Sequence, residues 1–231
     1  MTPLLQIRSF SNDQYILDKI FYANSYRVRA FKDTETKPLI VDVGAHAGYF
    51  SFAATALGAG KVYAVEPFTE NYDILIKNTS DVRLPQVIRC PMAIFPVQTY
   101  LNLSFPKVNK GNYFDFSNVF PAITKSSTDA IVPAVSLDFY LSNYVSEEQI
   151  DLLKIHLGYA EVDILKGAES LTKRVKNICG QVELDLEGQL KFKQILNSKG
   201  YIEVNFIPVD GEDGKVIFQA SQGKLTDMFI K

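Results

Sequence analysis

Two cysteines and two histidines are all that 231 residues hold of the side chains that most readily bind metals or form cross-links. Cys90 and Cys179 lie far apart and neither has a C-x-x-C partner, so no disulfide or zinc site is expected and each reads as a buried, reduced thiol. His46 and His156 stand alone, which leaves no histidine-rich metal cluster. Surplus basic charge is also missing: the formal net charge is -2, so nucleic acid is not an expected partner. No uninterrupted apolar stretch approaches spanning length, and Met1 to Arg8 lacks both a basic segment ahead of an apolar core and a small-residue cleavage site. The expectation is a cytoplasmic protein with no membrane partner. Neither an internal repeat nor a low-complexity segment is found, and 47% hydrophobic with 22% charged residues fits one globular domain over residues 1–231.

The most informative stretch runs Ile40-Val41-Asp42-Val43-Gly44-Ala45-His46-Ala47-Gly48-Tyr49-Phe50-Ser51. An apolar run that meets glycines four apart reads as a buried strand turning sharply into a helix. Glycine tolerates positive φ and close approach, so Gly44 and Gly48 are expected to form a tight loop whose amides face a ligand. The next apolar run, Val62 to Val65, stops at Glu66. A carboxylate there can accept hydrogen bonds from both vicinal hydroxyls of a ribose. Pyrophosphate binding usually shows G-x-G-x-x-G, and the middle glycine is absent here. Asp42, two residues before the first glycine, would repel a pyrophosphate and could pair with a cationic amino-acid end. That favours S-adenosylmethionine as the cofactor; a nicotinamide-dependent oxidoreductase is the alternative that the missing glycine weakens.

Along the chain, Ile16, Leu17, Ile20, Phe21 and Val28 predict a helix over about 12–29, capped by Ser11 or Asn12 and forming a cover (residues 1–37) over the sheet edge or cofactor mouth. From residue 38 strands and helices alternate: strands over 39–43, 61–66 and 86–90, helices over 49–57 and 69–78. Such alternation implies right-handed crossovers and a parallel sheet. Between about 91 and 133 aromatic, polar and proline-broken sequence predicts an antiparallel hairpin and a long loop, a candidate lid for substrate selection. Ser146, followed by Glu147 and Glu148, reads as a helix cap. A strand over 152–156, a helix over 161–171, a strand over 178–184, a helix over 189–198 and a terminal hairpin (201–207 and 215–220) complete the pattern. The expected fold is α/β and Rossmann-like, a mostly parallel seven-stranded sheet with an antiparallel C-terminal hairpin.

Residues Val41 to Ser51, then Val65-Glu66-Pro67, then Leu75 and Asn78, together resemble the FkbM-type methyltransferases. Ser136-Leu137-Asp138 is similar to that family's T-L-D element. Asp151-Leu152-Leu153-Lys154-Ile155, with Ala160-Glu161 and Leu165-Lys166-Gly167-Ala168, resembles its D-L-L-K-I-D-V-E-G-A-E-x-x-V-L-K-G-A signature, and Gly200-Tyr201 its closing glycine-aromatic pair. The resemblance covers roughly residues 38–206. It implies an S-adenosylmethionine-dependent O-methyltransferase acting on a small hydroxyl acceptor, such as a sugar or a polyketide-type metabolite.

One departure stands out. Where the family has Asp-Val-Glu-Gly, this chain has His156-Leu157-Gly158-Tyr159, and where the next strand commonly shows E-x-H it has Glu183-Leu184-Asp185. The expectation is a reversed pair in which Asp185 orients His156, which accepts the substrate proton. His156, Glu161, Glu183 and Asp185 would line the acceptor side. Asp42, Gly44, Ala45, His46, Gly48 and Tyr49 would hold the methionine end, Glu66 and Pro67 the ribose, and Met92 and Ala93 the adenine. The competing readings are a strand-end histidine at 156, a helix first-turn acid at 161, and a cofactor-binding subunit without chemistry of its own.

Overall fold

Leu39–Val43 is buried at every position, as a strand must be when both faces of its sheet are covered, and it forms the centre of the fold. The computed structural model describes residues 5–9, 11–26, 28–33, 37–81, 86–104, 120–121, 130–158 and 160–224. In chain order come α1 (Asp13–Phe21), a 3-10 helix (Val28–Asp33), β1 (Leu39–Val43), α2 (Tyr49–Ala56), β2 (Lys61–Val65), α3 (Thr69–Asn78) and β3 (Gln86–Cys90). The middle of the chain adds β4 (Ala93–Ile94), β5 (Thr99–Ser104), β6 (Phe120–Pro121), β7 (Ala130–Val135) and α4 (Leu137–Tyr144). Then follow β8 (Ile150–Ile155), α5 (Glu161–Gly167), α6 (Leu171–Arg174), β9 (Val175–Glu183), α7 (Leu186–Ser198), β10 (Glu203–Pro208) and β11 (Lys215–Ser221).

The main sheet has seven strands in the order β10-β11-β9-β8-β1-β2-β3. Its five central and right-hand neighbours pair parallel, and β11 alone runs against the others, antiparallel to both β9 and β10. From β1 the chain winds outward through β2 and β3, then returns to the other side of β1 with β8 and β9. The order therefore reverses between β1 and β8, and in open parallel sheets a ligand crevice opens at the carboxyl ends of the strands at that point.

The period-2 alternation of β1 sorts its side chains between two cores. Leu39, Val41 and Val43 join Leu153, Ile155 and Tyr140 in one; Ile40 joins Val62, Leu152 and Ala53 in the other. Each fully buried aliphatic side chain here contributes about 1.5–3 kcal/mol. Asp42 shares the Ile40 face, where it meets α2. Cys90 and Cys179 are free and buried, and burial pushes the Cys90 thiol up to about 11.

Three expectations change. The N-terminal helix ends at Phe21, because Asn24 takes a left-handed φ of 51° and turns the chain, and Val28 belongs to a separate 3-10 helix. Ser146 caps nothing: Glu147 is drawn instead to Lys61 and to the Tyr63 hydroxyl, and the helix of this region is α4, where Ser136 Oγ accepts the Phe139 N–H at 3.2 Å. The helix expected over 161–171 is two short ones, α5 and α6. In the insertion, β5 pairs antiparallel with β6 and β7, and β4 lies parallel to β7, giving a second four-stranded sheet. The long loop assigned as a lid falls mostly on 105–119 and 122–129, outside the described residues.

Candidate active site

At the end of β1 the chain takes three left-handed conformations within five residues, at Gly44 (φ 75°), His46 (φ 54°) and Gly48 (φ 80°). A Cβ on Gly44 would lie 2.1 Å from the His156 carbonyl oxygen, so only glycine lets the turn after β1 pass against the end of β8. Four of the loop's amides do not face outward as expected. Gly44 and Ala45 N–H both donate to Val65 O (3.0 and 2.9 Å), His46 N–H to Glu66 Oε2 (2.8 Å) and Gly48 N–H to Ala45 O (2.9 Å). These four donors are spent on folding the loop.

Glu66 is buried at the end of β2. Its Oε1 accepts from Phe68 N–H at 3.0 Å and from Asn71 Nδ2 at 3.3 Å, with Oε2 taken by His46. Burial raises its pKa, and the Phe68 and His46 amides with Asn71 pull the other way. A carboxylate offers about four acceptor positions. Three are used, which leaves room for one ribose hydroxyl rather than the expected two.

A cavity of about 380 Å³ opens over this end of the sheet. At one end it is walled by Glu66, Pro67, Ala93, Ile94 and Phe95, and it passes Gly44, Ala45, His46 and Tyr49 to Lys154 and His156. Glu183, Gln181, Lys19, Glu212 and Lys215 line the far end. The amino-terminal segment forms its outer wall: Arg8 bonds Asp13, Asn71 Oδ1 (2.7 Å) and His46 Nε2 (3.1 Å), fastening that segment across the loop, and α1 and Tyr26 line the space beneath. Burial and the Asp13 carboxylate raise the Tyr49 hydroxyl's pKa.

Several expected site residues are elsewhere. Met92 is packed in the core under the sheet, whereas Ala93 does face the cavity. Gly48 packs against Leu75 and shapes the loop without lining the space. Asp42 is fully buried, with Oδ2 bonded by Ser51 Oγ (2.7 Å) and Oδ1 against Lys154 Nζ (2.8 Å), so it does not reach the cavity. Glu161 turns its carboxylate onto the Leu157 and Gly158 amides and closes the turn after β8; burial raises its pKa against those bonds. Asp185 caps α7, accepting the Gly188 N–H at 2.8 Å.

The reversed His156–Asp185 pair is therefore not formed. Register is the reason: Ile155 lies beside Gly180, so the residue level with His156 is near Gln181, and Asp185 is already past the end of β9. The partner of His156 is Tyr26, whose hydroxyl shares a hydrogen bond of 2.7 Å with Nδ1. Burial, then the Lys154 charge, lowers the His156 pKa to about 3. An imidazole so depressed is neutral at pH 7 and a weak proton acceptor.

Sequence reading missed Lys154, Tyr26 and the cluster of Tyr15, Lys19, Glu212 and Lys215. Glu212 lies on the β10–β11 turn and joins Lys19 and Tyr15 of α1 to Lys215 (2.8 Å). For Lys154 a signal existed, since it is the one charged side chain inside Leu152-Leu153-Lys154-Ile155. For the others the partners come from segments far apart in sequence. Among the described residues no group of three or more His, Cys, Asp or Glu could hold a metal ion, and no helix is long and apolar enough to cross a membrane.

The profile described as "Methyltransferase FkbM domain" matches residues 42–211. The chain belongs to the FkbM methyltransferase family. No curated protein sequence matches it significantly. Among solved structures, the METTL16 methyltransferase domain (crystal form 2) is similar at TM-score 0.53 and 14% identity, covering 88% of this chain and 67% of that one. Precorrin-6y C5,15-methyltransferase from Geobacter metallireducens GS-15 is similar at TM-score 0.50 and 13% identity, covering 94% and 93%. The Methanococcus jannaschii fibrillarin pre-rRNA processing protein is similar at TM-score 0.50 and 16% identity, covering 81% and 68%. At these identities the likeness is one of fold, and the seven-stranded sheet of this FkbM chain is that of the class I, Rossmann-like methyltransferases.

Proposed function

We propose that this chain transfers a methyl group from S-adenosylmethionine to a hydroxyl of a small acceptor such as a sugar. The observation that carries the reading is a single cavity at the sheet's switch point, running from a buried carboxylate and an apolar slot to a polar far end. Its residues fit the cofactor: Glu66 has an acceptor position left for a ribose hydroxyl, Ala93, Ile94 and Phe95 offer an apolar slot for a purine, and about 380 Å³ lies within the range of small-molecule sites. Bound there, the cofactor would supply an electrophilic methyl on a sulfonium, so the protein's part is placement, water exclusion and proton removal.

Each part falls to identifiable groups. Tyr26 and Phe50 pack edge to face at 5.7 Å and close the cavity floor against water. The His156–Tyr26 pair lies on the acceptor's path as a neutral hydrogen-bonding surface. Glu183 is exposed yet lines the far end, which makes it a carboxylate placed to take the hydroxyl proton and pass it to solvent. The alternating Lys19, Glu212, Lys215 and Gln181 offer both donors and acceptors, as a polyhydroxylated acceptor requires. A net charge of -2 favours such an acceptor over nucleic acid.

A second reading, a cofactor-binding subunit without chemistry, is favoured by one observation: neither His156, its pKa lowered to about 3, nor Glu161, its carboxylate spent on the Leu157 and Gly158 amides, is suited to proton removal. Calorimetry with S-adenosylmethionine and NAD, followed by S-adenosylhomocysteine release over a panel of sugars and small alcohols, tests both. Binding of the former with release supports the proposal, with Glu66→Gln costing 10- to 100-fold in affinity, the worth of a hydrogen bond to a charged group. Binding without release supports the second reading. No binding at millimolar ligand overturns both.

A further inference from the structure

A lysine inside an apolar parallel strand loses its hydration, so its ammonium must find partners in the fold. Lys154 of β8 finds two: it donates a hydrogen bond to Gly44 O at 2.7 Å, and it pairs by charge with Asp42 Oδ1, 2.8 Å away but outside hydrogen-bond geometry. An ammonium has three N–H donors. Only one of them makes a hydrogen bond to the protein among the described residues, and Nζ lies 5.7 Å from each of the Tyr26 and Phe50 ring centroids, on the cavity floor. Asp42, its counter-ion, is fully buried behind it, with Oδ2 bonded by Ser51 and Oδ1 facing the ammonium. Between Gly44 and His156 the protein thus presents a cation to the cavity and keeps the matching anion out of reach.

We infer that Lys154 binds the carboxylate at the methionine end of S-adenosylmethionine. This rests on the cofactor reading above and reverses the polarity expected at the loop: the acid before the glycines holds the lysine, and the lysine reads the ligand. The placement follows the cavity's own order. With the ribose at Glu66, the chain beyond the ribose leads over Gly44 toward Lys154, and the carboxylate completes the donor set there. The same ammonium fixes the Gly44 carbonyl, so the loop's turn and the ligand's acid are held by one group.

The test uses calorimetry on the whole chain with S-adenosylmethionine, decarboxylated S-adenosylmethionine, S-adenosylhomocysteine and 5′-methylthioadenosine. In the wild type, removing the carboxylate alone should weaken binding 10- to 100-fold, the range of a charge-assisted hydrogen bond. The paired variant Asp42→Asn with Lys154→Met, which leaves no buried charge unmatched, should bind S-adenosylhomocysteine 10- to 100-fold more weakly than the wild type does, with the affinity for 5′-methylthioadenosine unchanged. Equal wild-type affinity for the carboxylated and decarboxylated ligands overturns the assignment, and that arm needs no variant to fold. Parallel loss of S-adenosylhomocysteine and 5′-methylthioadenosine in the paired variant also overturns it, since Lys154 would then only support the Gly44 turn. If none of the four ligands binds the wild type, the cofactor reading itself fails and this inference falls with it.

Discussion

Gly44→Ala puts a methyl group where the fold leaves no volume. The added carbon would stand 2.1 Å from the His156 carbonyl oxygen and 3.0 Å from its carbon, against backbone rather than a flexible side chain. Relief requires moving the end of β1 or of β8 by about 1 Å, since close-packed interiors leave no gap of that size. Both ends are tied: His156 N–H donates to Val43 O at 3.1 Å, and Gly44 N–H donates to Val65 O at 3.0 Å. Straining or losing these bonds costs about 1 kcal/mol each. Placing alanine at φ 75° adds about 1–2 kcal/mol, and overpacking about 1–3 kcal/mol. The sum, about 4–7 kcal/mol, is a large share of the 5–15 kcal/mol typical of whole domains. Urea unfolding followed by circular dichroism should show a lower midpoint at unchanged slope. Calorimetry on the folded fraction should show S-adenosylhomocysteine binding reduced at least tenfold, because the shifted turn carries the Gly44 carbonyl away from Lys154. An alanine variant with wild-type midpoint and wild-type affinity would refute the claim that this glycine sets the site's geometry.

Asp185→Ala should lower stability by about 1 kcal/mol through loss of the α7 cap, leaving S-adenosylhomocysteine release unchanged; a collapse of turnover with the fold intact would restore Asp185 to the chemistry. Burial alone would raise the Glu212 pKa, but Lys19, Lys215 and Tyr15 hold it down at about 2. A carboxyl depressed by folding adds stability that is present above its ordinary value near 4.5 and lost as pH falls through about 2. The wild type should therefore exceed Glu212→Gln in thermal midpoint at pH 6, with the gap shrinking as pH is lowered from 5 toward 2; a gap independent of pH would contradict this.

What was legible in the sequence is what depends on neighbours a few residues away, and what was not depends on partners across the fold. Strands over 39–43 and 61–66 could be delimited from apolar runs and the glycines and proline that end them, and the strands observed are Leu39–Val43 and Lys61–Val65, the second one residue shorter. The amino-terminal helix was drawn too long because Val28 continues the apolar spacing of α1, while Asn24 stops the helix by a backbone turn that spacing does not register. Ser146 satisfies a local capping pattern, yet Glu147 beside it is claimed by Lys61 and Tyr63 of another strand, so the local rule lost to a non-local pair. The same contest decides the site. That the 44–48 turn is tight follows from its glycines, but the direction of its amides is set by Val65 O and Glu66, on the neighbouring strand and at its end.

Asp42 shows how an acid beside a glycine turn can be kept from the cavity it precedes. An acid two residues before a glycine turn suggests a ligand for a cation only if nothing inside the protein neutralises it first. In a parallel sheet the residue level with it on the adjacent strand lies about 5 Å away, within reach of a lysine's ammonium. Asp42 and Lys154 are that register pair. Side chains leave a strand on alternate faces, so the two point the same way and must meet; the longer one then extends past the shorter toward the strand ends, where the cavity is. Lysine is the longer. Length alone thus decides that the anion stays in the core and the cation reaches the cavity.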